Sequence, residues 1–290
     1  MSSVRDRQRA AARAKLEREM VERAEAARLK RRQRTQIGLV AGGVLLTVVL
    51  VWTIVATAGG DDPKTAASPT ASAAPSTADC VWNPLVDPAA TPKPSMPAGI
   101  KDVGTPATSV PAVGTQTVTL DTNLGKIAFE MDLSKTPCTS ASIAHLASKK
   151  YYDGTSCHRL VTQISALQCG DPTGDGTGGP AYRFANENLP TEKRPSYTEG
   201  DVAMANADNA EQGITDTNGS QFFFIYGQNE LPANYTVVGR VTAGMDIIKS
   251  VGAAGDDGAF AQMAGGGHPK KKITFKTVTV SPATAATPTS

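Results

Sequence analysis

The stretch SCHRLVTQISALQCGDPTGDGTGGP (156–180) decides how this chain folds, and VAMANA (202–207) and NGSQFFFI (218–225) complete it. The first piece reads as a strand carrying Arg159, a hairpin-like return to Gln168 and a glycine-rich loop. The second adds the amide of Asn206, and the third is a very apolar strand with Phe223 at its middle. Together they bring one guanidinium, several side-chain amides and an apolar hollow near each other. They hold no Ser/His/Asp triad, no carboxylate pair and no metal-ligand cluster.

That inventory suits a reaction with neither nucleophile nor proton transfer, and rotation about an X-Pro peptide bond is one. Its barrier of about 18–20 kcal/mol comes from amide conjugation. A guanidinium that donates to the prolyl nitrogen favours the pyramidal, unconjugated nitrogen of the twisted state. Arg stays charged at any working pH and projects a rigid fork of donors.

HRLV and LQCGDPTGDGTGGP (158–180), FANENL (184–189), VAMANA and TNGSQFFFI (217–225) resemble the signature segments of the cyclophilin family of peptidyl-prolyl cis-trans isomerases, in family order across residues 115–281. With a basic and apolar N-terminal region ahead of it, the chain is similar to the membrane-anchored B-type cyclophilins of actinobacteria. The resemblance implies a mainly β fold: a closed eight-stranded antiparallel barrel capped by two helices. It implies Arg159, Gln168 and Asn206 as the catalytic set, with Gln168 and Asn206 holding substrate backbone. Ser165, Ala166, Ala205, Gln221, Phe223, Leu231 and Tyr235 would bind substrate, Tyr235 standing where many members carry His. It implies no cofactor and no metal, with proline-containing polypeptides as substrates and the protein as a monomer.

Two departures from the family pattern matter. One extra residue lies between His158 and Gln168, so that Ser165 or Ile164, with Ala166 beside it, stands where a pocket Phe is usual. The prolyl hollow is then wider or less apolar, which keeps open a second function: a tethered module that binds Pro-containing segments, chaperone-like, without turnover. Glu230 stands where the animal proteins carry a Trp that helps bind cyclosporin, which implies weak affinity for that drug.

The domain's opening, TQTVTLDTNLGKIAFEMD (115–132), alternates apolar and polar residues on both sides of Asn123–Gly125, as a hairpin does. Pro137 stops the strand, and a helix can start on a Ser/Thr cap at Thr139 or Ser140 and run to about Tyr151. His145 on it carries no chemistry. A short helix over 245–254 and a closing strand over 271–280 follow.

The formal charge of +2 on 290 residues hides two pieces of opposite sign. Residues 1–36 hold twelve Lys/Arg against five Asp/Glu, leaving 17 basic and 22 acidic residues of the chain's 29 and 27 for the remainder. Ala-rich and free of Gly and Pro, the basic segment is expected to be helical. Ile37 to Ala58 are 22 residues without a charge, at about 1.5 Å each enough for a bilayer core. The cluster before them is read as lying beside an anionic leaflet, not nucleic acid, and as fixing a cytoplasmic N-terminus, a single span and an extracytoplasmic domain. Ala56-Thr57-Ala58 imitates a signal-peptidase site, so a cleaved leader is the competing reading.

Residues 59–114 carry ten prolines among Ala, Thr and Ser and are expected to be a disordered linker, with Cys80-Val81-Trp82-Asn83-Pro84 as the one place it could dock. The tail 282–290 is expected to be disordered. Cysteines fall at 80, 138, 157 and 169 with no C-x-x-C and no matching His spacing, which argues against zinc. Four cysteines allow three connectivities. If 157 and 169 face each other across a hairpin they pair and leave Cys80 for Cys138; a reduced set is the other option. GDGTGG (174–179) is not a nucleotide loop, because Pro180 follows it and no crossover helix does.

Overall fold

Alternating residues in the opening segment make strands β1 (Thr115–Thr122) and β2 (Gly125–Asp132), paired antiparallel from Thr115↔Asp132 to Thr122↔Gly125. Val118, Leu120, Ile127, Phe129 and Met131 all point inward and are buried. The turn is closed by Thr122, whose Oγ1 donates to the Gly125 carbonyl at 2.6 Å, and Gly125 takes φ +127°, open to glycine alone without strain. In this computed structural model residues 76–92, 94–190, 196–262 and 265–284 are described.

Six more strands follow: β3 (Arg159–Val161), β4 (Ala166–Cys169), β5 (Asp201–Met204), β6 (Phe222–Ile225), β7 (Val237–Ala243) and β8 (Phe275–Val280). They form one antiparallel sheet in the order β8-β1-β2-β7-β5-β6-β4-β3. The ladder does not close continuously between β3 and β8, as the expected barrel would. The gap is spanned by bridges at Ser156↔Thr274 and Leu160↔Gly267 and by the Cys157 amide on the Ile273 carbonyl at 3.1 Å. The inside is filled by Phe129, Phe222, Phe224, Tyr152 and Phe275, whose rings meet at centroid distances of 5.5–6.4 Å.

Helix α1 (Pro137–Ser148) is capped at Thr136, three residues before Thr139, the earlier of the two expected caps, and ends three before Tyr151. Its N-cap, Thr136, makes no side-chain cap bond. The Glu187 carboxylate caps it instead, accepting from the amides of Cys138 (3.0 Å) and Thr139 (2.8 Å) and from the Thr139 hydroxyl. An anion at that end satisfies orphan N–H groups and faces the positive pole of the helix. Helix α2 (Met245–Ala254) buries Ile248, Val251 and Gly252, the last so close to the Tyr226 ring that a side chain there would collide with it.

The disordered linker expected up to residue 114 needs correction from residue 76 onward. Thr77–Asp79 pairs with Ser109–Pro111, Asn83–Pro84 with Tyr182–Arg183, and Ile100–Lys101 runs parallel to Gly179–Pro180. Cys80 is disulfide-bonded to Cys138 on α1, and the Trp82 ring stands edge-on to Tyr182 (5.4 Å) and Phe184 (5.5 Å). One covalent tie and one large aromatic anchor thus supply what the Pro-rich composition lacks. His145 takes part, its Nε2 lying 3.2 Å from the carbonyls of Val103 and Gly104. At the other end Thr284 bridges Thr115, so the start of the expected disordered tail is ordered too.

Among the described residues no helix is long and apolar enough to cross a membrane. The expected basic segment and the apolar run 37–58 lie outside those residues.

Candidate active site

The strand period of two sorts NGSQFFFI onto both faces of the sheet. Phe222 and Phe224 point into the barrel. Phe223 points outward into a separate apolar cluster with Ala166, Tyr197, Ala203 and Ile225. Register then lays one row across four strands, because Arg159 pairs with Gln168, Gln168 with Phe223, and Phe223 with Ala203. A cation, an amide and an aromatic ring come to stand side by side on one outer face.

Above this row lies a hollow of about 280 Å³, lined by Arg159, Val161, Ile164, Ala166, Gln168, Ala205, Asn206, Phe223, Leu231 and Tyr235. Arg159 is the only charged residue in that lining. Its Nε donates to the Gly265 carbonyl at 3.0 Å and its Nη1 to Gln168 Oε1 at 3.1 Å. Gln168 Nε2 donates on to Gln221 Oε1 (2.8 Å), and Gln221 Nε2 to the carbonyls of Gly176 and Gly178 (both 2.9 Å). The guanidinium is thus anchored through a relay of amides to the glycine loop. Burial draws its pKa down, with Tyr235 opposing, from a value high enough that it keeps its charge.

The far wall is the segment 229–235. The Tyr197 hydroxyl lies 3.1 Å from the Pro232 carbonyl and 3.2 Å from that of Tyr235, and it accepts from the Tyr235 amide at 2.9 Å. Asn229 Nδ2 donates to the Tyr197 carbonyl at 2.9 Å. This knot sets Leu231 and Tyr235 over the hollow, with the Tyr235 ring edge-on to Phe223 at 5.4 Å. Burial pushes the Tyr197 phenol up to about 12.

Asn206 is at the rim, but its side-chain amide is engaged: Nδ2 donates to the Asn234 carbonyl (3.0 Å) and Asn186 Oδ1 (3.3 Å). Gln221 lines a second hollow of about 240 Å³, which shares Gln168, Ala205 and Asn206 with the first and adds Gly176–Gly179, Arg183 and Thr217. Ser165 lines neither. The extra residue before Gln168 is absorbed as a 3₁₀ turn over Thr162–Ile164, leaving Ser165 in the left-handed region at φ 49° with its Oγ beside Gly227. Ile164 faces the hollow in its place.

Sequence reasoning passed over Val161, Tyr197 and Arg183. Val161 was within reach, because it shares a strand face with Arg159. Tyr197 sits in irregular chain and Arg183 in a strand of only two residues, so no periodicity shows which way either side chain turns. Cys157 is bonded to Cys169 behind the Arg159–Gln168 pair. Among the described residues no group of His, Cys, Asp and Glu could hold a metal ion.

Residues 117–280 match the family model described as cyclophilin type peptidyl-prolyl cis-trans isomerase/CLD. A probable peptidyl-prolyl cis-trans isomerase B of Mycobacterium tuberculosis (strain H37Rv) is 40% identical over 200 residues, covering 64% of this chain and 61% of the relative. One of the same description from Mycobacterium leprae is 40% identical over 197 residues, covering 62% of each. The chain thus spans about three fifths of these relatives' length. A crystal structure of a Cryptosporidium parvum cyclophilin type peptidyl-prolyl cis-trans isomerase is 26% identical, with a TM-score of 0.47, covering 59% of this chain and 99% of that one.

Proposed function

The chain belongs to the cyclophilin-type peptidyl-prolyl cis-trans isomerase family, and on that premise we propose that it speeds rotation about X-Pro bonds in polypeptides folding outside a membrane to which it is tethered. The observation that carries the proposal is Arg159, held by Gly265 and Gln168 at the rim of a hollow otherwise lined by uncharged side chains. A pyrrolidine ring fits against Phe223, Ile164, Ala166 and Leu231. With the ring gripped, Arg159 donates to the imide nitrogen as that nitrogen pyramidalises, while Gln168 and the rim at Asn206 hold the flanking backbone. The planar forms offer that nitrogen no comparable lone pair, so the contact is strongest in the twisted state and lowers the barrier. No bond is made or broken and no proton moves.

The uncharged run 37–58 behind twelve basic residues supports a single-pass anchor with a cytoplasmic N-terminus. The domain is proposed to act as a monomer and without nucleic acid.

NMR exchange of an Ala-Pro peptide tests the chemistry. Arg159→Ala is expected to lower catalysed exchange by about 10²-fold or more, as loss of one transition-state donor does, while a heat melt shows the variant folded. Full exchange in the variant would overturn the proposal. Peptide binding with no exchange in the unaltered protein would replace it with a non-catalytic holder of Pro-containing segments.

A further inference from the structure

The second hollow adjoins the prolyl one and shares part of its rim, and one side chain gives it a character of its own. Of the residues that line it, only Arg183 is charged. Its Nη1 donates to the carbonyls of Pro180 (3.1 Å) and Tyr182 (3.0 Å). Its guanidinium lies so close over Gly179 and Gly219 that a Cβ on either would sit 3.1 Å from Nη1. The segment that presents it is fixed from behind by residues outside the family match: Asn83 and Pro84 pair with Arg183 and Tyr182, and the Leu85 amide donates to the Ala181 carbonyl at 3.0 Å.

No ion pair among the described residues includes Arg183. Burial lowers its pKa, the Tyr151 phenol opposing. A guanidinium has five donors, and two carbonyls on one nitrogen leave the others for what enters the hollow. A part-buried cation without a counter-ion is costly, and an incoming carboxylate offsets that cost with charge-assisted hydrogen bonds. The hollow shares Gln168, Ala205 and Asn206 with the prolyl hollow, so one extended peptide can occupy both.

We propose that Arg183 makes the second hollow a subsite for an acidic side chain near the proline, so that acidic Pro-containing segments are the preferred substrates. This rests on the proposed function, whose prolyl hollow sets where the peptide lies.

The test uses peptide pairs that differ only in Glu or Lys at one of the two positions on either side of the proline, with exchange and KM read by NMR. At one position the Glu peptide is expected to have a KM about tenfold lower than its Lys twin, the scale of one partly desolvated charge pair. That gap should shrink to about twofold or less in Arg183→Gln, survive in Arg183→Lys, and narrow in 0.5 M salt. Equal KM for Glu and Lys at all four positions, or a gap that Arg183→Gln leaves unchanged, would overturn the proposal. If Arg159→Ala abolishes exchange while Glu and Lys peptides remain equivalent, the rotation chemistry stands and the acidic subsite falls. If no peptide is exchanged, calorimetric binding of the same pairs still reads Arg183: a Glu preference lost in Arg183→Gln supports the subsite and its absence refutes it.

Discussion

His158 and Arg159 are consecutive, yet one keeps its charge and the other gives it up. His158 is 4% exposed, and both ring nitrogens are without hydrogen-bond partners. Burial lowers its pKa; Asp171 and Asp175 pull it up, and Arg159 and His268 push it down. As pH falls below about 6.5 the unfolded chain takes up the proton before the folded one does. Stability is therefore full above that pH and declines as pH falls toward the folded value. The carboxyls with lowered pKa, Asp132, Asp175 and Asp257, act only at lower pH. A melting temperature that drops between pH 7 and 5.5 is expected, with a flatter profile in His158→Leu; an unchanged slope would remove His158 as its source. Tyr197→Phe is expected to cost about 1–3 kcal/mol in a urea melt, since the Tyr235 amide loses its acceptor. It should also raise KM more than it lowers kcat, because it loosens the wall carrying Leu231 and Tyr235 and leaves Arg159 in place. Arg159, Gln168 and Phe223 could be read from the sequence because their segments resemble the family's signature motifs, and strand pairing then sets them in one row. Ser165 could not, because one inserted residue became a 3₁₀ turn and reversed its side chain.

The β1–β2 hairpin was legible because its alternation and turn are local. The start of α1 was not, since its cap is a carboxylate 48 and 49 residues from the two amides it accepts from. Glu187→Gln is expected to lower stability by about 1 kcal/mol, keeping an acceptor but losing the charge that faces the helix pole. The strap 76–111 has the composition of a disordered linker because composition describes only what a segment buries by itself, and this one borrows its core. Trp82 packs on Tyr182 and Phe184 of the domain, and Cys80 is tied to α1 across 58 positions. Loop-closure entropy on that scale is roughly 4 kcal/mol. Cys80→Ser with Cys138→Ser is therefore expected to lower stability by up to about that much. It should also raise KM for a Pro peptide, since the strap backs the segment 179–183 that walls the second hollow. A double variant with unchanged KM would mean that Trp82 and the short pairings hold the strap without the bond.

At the scale of the whole chain, the curled sheet and the face that carries Arg159 are set by register, which a sequence conveys only through alternation. The gap between β3 and β8 is closed by bridges with no periodic signature, so a fully closed ladder was the natural reading. The division of charge is legible without any fold: a basic N-terminal piece, an uncharged run, and an acidic remainder. Two outcomes are open to such a chain, because Ala56-Thr57-Ala58 offers a signal peptidase a site that a retained anchor would not use. Retention keeps the whole 30.1 kDa chain in the membrane fraction through a carbonate wash, whereas cleavage releases a product shorter by the leader. With epitope tags at both termini, protease added to intact spheroplasts should destroy the C-terminal tag and spare the N-terminal one. A soluble, shortened product would replace the anchor with a leader and leave the isomerase proposal untouched. A protected C-terminal tag would put the domain on the cytoplasmic side and reverse the assigned orientation.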